Sequence, residues 1–87
     1  MDVEAVTKRL KRIEGQVRGI IRMVEAGKTC EEILIQIGSV KSSLHKTAQF
    51  VLEEHLRQCV TDGIRRGRAE EAVRRLTPAF EQFARVG

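Results

Sequence analysis

Between Cys30 and Asp62 the chain offers almost nowhere to end a helix, and this constrains its fold more than any other feature. Ile33, Ile37, Val40, Leu44, Ala48, Val51, His55 and Cys59 recur three and four residues apart, which sets them on one continuing helical stripe. Gly38 is the one weak helix former inside this stretch. About 33 residues can therefore stay helical, and a helix of that length needs a partner to pack on. Thr29 precedes it as an N-cap and Glu32, three residues later, completes a capping box, so Cys30 falls in the first turn.

A shorter helix comes first. Val3, Val6, Leu10, Ile13, Val17, Ile20 and Val24 alternate three and four apart with a charged opposite face, and Gly27 supplies the stop. After the long helix the segment DGIRRGR turns the chain. A third, weaker helix then carries Ala69, Val73, Leu76, Phe80 and Phe83 on one side. Pro78 lies inside it and removes the hydrogen bond to the Arg74 carbonyl, which predicts a kink or a fresh start after Thr77. The expected elements are helices over about residues 3–26, 30–62 and 68–85 of one domain spanning 1–87. Nothing alternates as a strand does, so the fold class is all α. A chain of 87 residues buries only a modest core alone, and oligomerisation is a natural way to complete it.

The chain has no run of 18 apolar residues and MDVEAVTKRLKR lacks a signal-peptide core, so a cytoplasmic protein with no membrane partner is expected. The net charge of +4 suits a polyanion, while three Phe and no Trp or Tyr argue against stacking on single-stranded bases. Double-stranded DNA held through its phosphates is the expected partner. Basic residues crowd the first helix (Lys8, Arg9, Lys11, Arg12, Arg18, Arg22), continue at Lys41 and Lys46, and cluster again at Arg65, Arg66, Arg68, Arg74 and Arg75. Such charges also form ordinary solvated faces, and the long helices do not fit a helix-turn-helix.

Cys30, His55 and Cys59 are the candidate ligands. His55 and Cys59, four apart in EEHLRQC, project from one helix face about one turn apart. Cys30 lies 25 residues before His55, about 37 Å along a continuous helix. A site using all three must take Cys30 from a second copy, and two antiparallel copies would form two equivalent sites. Two thiolates and an imidazole make a soft, three-coordinate set that favours Cu(I), whereas Zn(II) would want a fourth ligand. Buried cysteines can equally be small hydrophobes. His45, off the stripe beside Leu44, reads as a surface histidine. With no third group to orient His and Cys and little room for a substrate pocket, the chain does not read as an enzyme.

RLKRIEGQVRGIIRMVEAGKTCEEILIQIGSVKSSL followed by LEEHLRQC closely resembles the copper-sensing operon repressor (CsoR) family of bacteria, strongly from Arg9 to Cys59 and loosely thereafter. The resemblance implies an all-α dimer with an antiparallel four-helix core, assembled into a disc-shaped homotetramer that binds operator DNA. Release would follow when Cu(I), as effector, occupies an intersubunit site matching Cys30, His55 and Cys59. It also implies Arg9, Arg12, Gln16, Arg18, Lys41 and Lys46 as DNA contacts. Nickel or cobalt sensors of the family carry His where Cys59 stands, and persulfide sensors, which would link Cys30 to Cys59, lack the His; a repressor answering to persulfide or to another metal such as Ni(II) is the alternative. Copper-sensing relatives often carry Tyr before the first Cys and Glu on the third helix as outer-shell groups, where this chain has Thr29 and Arg75.

Overall fold

The computed structural model describes residues 1–87 and contains three helices and no strands: α1 over Val3–Glu25, α2 over Cys30–Arg66 and α3 over Ala69–Val86. The all-α expectation holds. No helix is long and apolar enough to cross a membrane. The chain forms two compact units, Val3–Thr47 and Ala48–Gly87 with Met1–Asp2, and α2 contributes to both.

In the unit Val3–Thr47, α1 ends at a glycine with positive φ, as its sequence predicts. Gly27 (φ 72°) takes the left-handed conformation, its N–H donates to the Val24 carbonyl at 3.1 Å, and the Lys28 N–H donates to the Met23 carbonyl at 3.0 Å. These two bonds satisfy carbonyls that the helix end would leave open. The capping box then starts α2. The Glu32 N–H donates to Thr29 Oγ1 at 3.2 Å, and the Thr29 N–H donates to the Glu32 carboxylate at 3.2 Å. Little of this unit is buried within one chain: only Ile13 and Thr47, whose hydroxyl donates to the Ser43 carbonyl at 2.9 Å. Leu10, Val17 and Val24 of the α1 seam are 44%, 42% and 57% exposed, and Ile37 and Leu44 on α2 are exposed as well.

In the other unit, the rest of α2 packs on α3. The long helix runs to Arg66, beyond the end near Asp62 read from the sequence. Gly63 suggests a breaker but serves as a contact: a Cβ there would lie 3.0 Å from the Ala72 Cβ, so its bare backbone admits α3. The stop is Gly67 (φ 63°), with the Arg68 N–H donating to the Gly63 carbonyl at 2.9 Å. Cys59, Ala72 and Leu76 form the buried cluster of this unit. α3 crosses Pro78 without a fresh start after Thr77. The Thr77 hydroxyl turns back to donate to the Val73 carbonyl at 3.0 Å.

Two substitutions test this account by chemical denaturation followed by circular dichroism at fixed protein concentration. Gly63→Leu should overpack the Ala72 contact and cost about 1–3 kcal/mol. Thr29→Ala should lose the cap and cost about 1 kcal/mol. A Gly63→Leu protein as stable as the parent would contradict the close approach of α2 and α3.

Candidate metal centre

His55 and Cys59 meet because α2 is regular where they sit. Four residues apart on one face, they bring Cys59 Sγ to 3.8 Å from Nδ1 and 3.7 Å from Nε2 of His55. Ligand bonds of about 2.3 Å to sulfur and 2.0–2.1 Å to nitrogen, at angles between tetrahedral and trigonal, place the two donor atoms about 3.6–3.8 Å apart. The pair is therefore spaced as two ligands of one ion, and an imidazole with a thiol is a suitable donor set for a soft metal. The two cysteines differ sharply. Cys59 is fully buried against Ala72 and Leu76, while Cys30, in the first turn of α2, is exposed; both are free thiols.

No three His, Cys, Asp or Glu side chains of a single chain gather into a group able to hold a metal ion. The structure thus brings together two of the three sequence-predicted ligands and leaves Cys30 apart from them. His45, read as a surface residue, is half-buried.

The six residues expected at DNA all lie in the unit Val3–Thr47. Arg9, Arg12, Arg18, Lys41 and Lys46 are exposed, and Gln16 is half-buried with its Oε1 covered and without a hydrogen-bond partner in the chain. Arg9, Arg12 and Gln16 are three, four and seven apart, hence on one face of α1. Arg18 follows Arg9 by nine residues, two and a half turns, and lies on the opposite face. It pairs with Glu14 at 3.2 Å, an exposed i,i+4 contact of the kind that contributes little.

One feature at Cys59 escaped the sequence. A cleft of about 20 Å³ opens beside it, lined by Cys59, Asp62, Gly63, Arg66, Arg68, Glu71, Ala72 and Arg75. That volume admits a water-sized guest and no organic molecule. Its charged lining comprises three arginines and two carboxylates, with Arg68 3.6 Å from Glu71 and Arg75 4.0 Å from Asp62. The i,i+3 spacing of Cys59 and Asp62 is visible in the sequence, but the register of α3 across the Gly67 turn is not.

Comparison with known proteins bears on the family and the fold. A family model described as metal-sensitive transcriptional repressor matches residues 2–82. The chain is 44% identical over 82 residues to the copper-sensing transcriptional repressor CsoR of Bacillus subtilis, covering 94% of this chain and 81% of that protein. It is 52% identical over 60 residues to the copper-sensing transcriptional repressor RicR of Mycobacterium tuberculosis, covering 69% of this chain and 62% of RicR, so it spans less than two thirds of that relative. Among solved structures, the copper-sensing repressor CsoR with Cu(I) from Geobacillus thermodenitrificans is 43% identical, with a TM-score of 0.80 over 95% of this chain and 86% of the other. The nickel-responsive transcriptional regulator InrS is 32% identical, with a TM-score of 0.90 over 95% and 93%. These relatives are transcriptional repressors and regulators rather than enzymes. With nearly its whole length matched and helices that superpose on two sensors of the group, the chain belongs to the metal-sensitive transcriptional repressor family.

Proposed function

We propose that this chain is a Cu(I)-responsive repressor whose effector site is shared between two copies. The observation that carries this reading is the pairing of His55 with Cys59 at 3.7–3.8 Å, while the exposed Cys30 at the start of the same helix is not added to them by any single chain. Cys30 of one copy, with His55 and Cys59 of another, completes a two-thiolate, one-imidazole set, and that low-coordinate soft set is better matched to Cu(I) than to Zn(II) or Ni(II). The bare seam at Leu10, Val17, Val24, Ile37 and Leu44 supports self-association, since apolar rows at helical spacing find cover on a second copy. A dimer with a four-helix core, doubled into a tetramer, is the assembly proposed.

Without effector, Arg9, Arg12, Gln16, Lys41 and Lys46 hold operator phosphates, with Arg18 a weaker contributor on the far face of α1. Closing the three ligands around the ion favours an arrangement of the helices that binds DNA less well. Such coupling between an effector and a second ligand is typically about 1–3 kcal/mol. Two features favour other effectors over the same scaffold. The arginine-lined cleft at Cys59 would also suit a sulfur anion, as in persulfide linkage of Cys30 to Cys59. The closeness in shape to nickel-responsive InrS brings in Ni(II). The thiol-rich donor set favours copper over both.

Anaerobic titration of the reduced protein with Cu(I) against a competing chelator should show one tightly held ion per chain and loss of binding to DNA upstream of its own gene. Operator binding unchanged by Cu(I), with release by persulfide or Ni(II), would sink the copper reading. His55→Ala should abolish the response to Cu(I), whereas a persulfide sensor would keep its response. The shared site has its own check. Cys30→Ala and Cys59→Ala proteins should each lack tight sites, and refolding them together should restore about one intact site per mixed dimer. At the DNA, Arg12→Ala should lower the slope of log affinity against log salt by about 1, and Arg18→Ala should change it less.

A further inference from the structure

Cys59 has a charge problem that the three ligands do not solve. A site of two thiolates, a neutral imidazole and a monovalent cation carries one negative charge in excess. Cys59 contributes to it from a position with no exposed surface, packed on Ala72 and Leu76. An anion held away from water needs an opposite charge close by. His55 does not supply one, because a ligating imidazole is neutral.

The cleft beside Cys59 does hold positive charge, and its three arginines are not equivalent. Arg68 lies just before α3 and pairs with Glu71 at 3.6 Å. Arg66 closes the last turn of α2, where the helix carbonyls already attract it. Arg75 follows Ala72 by three residues and adjoins Leu76, the two residues that cover Cys59. Its ion-pair partner Asp62 stands 4.0 Å away, beyond hydrogen-bond range, and both side chains are nearly half exposed, so the pair ties the guanidinium only loosely.

We propose that Arg75 is the counter-charge of Cys59: a positioning residue that shifts from Asp62 toward the thiolate and sets how strongly the site holds an anionic complex. The copper half of this inference rests on the function proposed above; the electrostatic half does not. A cation in a confined cleft neutralises an effector complex of net charge −1 and would do little for one bearing a divalent ion between the same ligands. Arg75 therefore biases the same donor set toward a monovalent metal. A planar guanidinium, carried on α3 and not itself a ligand, does this without occupying a coordination position.

The test uses the full chain in its native assembly and has two arms. The first compares bare ions, which need no reagent-sized opening at Cys59. Reduced protein is titrated with Ag(I) or with Cd(II) against a competing chelator, and the two affinities are compared. The ratio of the monovalent to the divalent affinity should fall several-fold in Arg75→Gln and return in Arg75→Lys. A change in packing or stability would move both metals together and leave the ratio unaltered. The second arm measures Cu(I) affinity by chelator competition, which should fall about tenfold in Arg75→Gln, recover in Arg75→Lys and change little in Arg66→Gln. An unchanged ratio of Ag(I) to Cd(II) affinity overturns the proposal, and so does a larger effect from Arg66→Gln than from Arg75→Gln. If the ratio falls as expected while the parent protein fails to hold Cu(I), the counter-charge stands and the copper reading fails. If the parent holds Cu(I) tightly and Arg75→Gln holds it equally well, the bias toward a monovalent metal is overturned.

Discussion

A helix cannot return to its own start, and the chemistry proposed for this protein depends on that constraint. α2 is continuous from Cys30 to Arg66, so it has no means of bringing its first residue back to its own Cys59. It nevertheless fixes His55 and Cys59 on one face to within a few ångströms. One regular element would thus make two thirds of the proposed soft-metal site rigidly and leave the last third to another copy. A half-site held by helix geometry is pre-organised, while completing it requires a second molecule in a defined orientation. For a sensor that arrangement is useful, because occupancy and quaternary arrangement become one variable.

The parts of the fold governed by local rules were legible in the sequence. Gly27 as a helix stop and Thr29 with Glu32 as a capping box depend only on neighbours within a few residues, and each appears as expected. The His55–Cys59 pair belongs to the same class, since i,i+4 spacing is all it needs. What failed to show was tertiary. Gly63 looks like a breaker in DGIRRGR, but its lack of a side chain is used by Ala72 on another helix, and the stop falls at Gly67 instead. Pro78 lacks a donor, and since α3 continues across it, the fresh start after Thr77 is the one of the two expected outcomes that does not occur. Arg75 is set at an outer-shell position only by the family resemblance, because the register of α3 on α2 that puts it on the cleft at Cys59 has no signature in the local sequence. Arg18, which the resemblance groups with Arg9 and Arg12, lies two and a half turns from Arg9, a difference in facing that a family pattern does not express.

Family membership settles the scaffold more firmly than the effector. The nickel-responsive regulator superposes with the higher TM-score, and the Cu(I)-bound repressor has the higher identity. Helices of this length and order are therefore compatible with more than one metal, and selectivity must lie in donor atoms and in the charge around them. In the site proposed for this chain the donors would be two sulfurs and one nitrogen. The lining around one sulfur carries more arginines than carboxylates, an electrostatic feature that overall shape cannot report.

The contrast between the two thiols bears on how a bound effector could be felt elsewhere. Cys30 is exposed in the first turn of α2, so its side chain can adjust at little cost to packing. Cys59 has no such slack. It is fully buried with Ala72 and Leu76, and one turn further on the Gly63–Ala72 approach already leaves no room for a methyl group without displacement. In close-packed surroundings a displaced side chain moves its neighbours rather than filling empty space. Tension applied to Cys59 by ligation must therefore be taken up by α3, whereas tension at Cys30 can be absorbed locally. On the function proposed, the buried cysteine would be the transmitting ligand and the exposed one the capturing ligand, so substitutions at Ala72 or Leu76 would belong with those at the ligands themselves in an account of coupling to DNA.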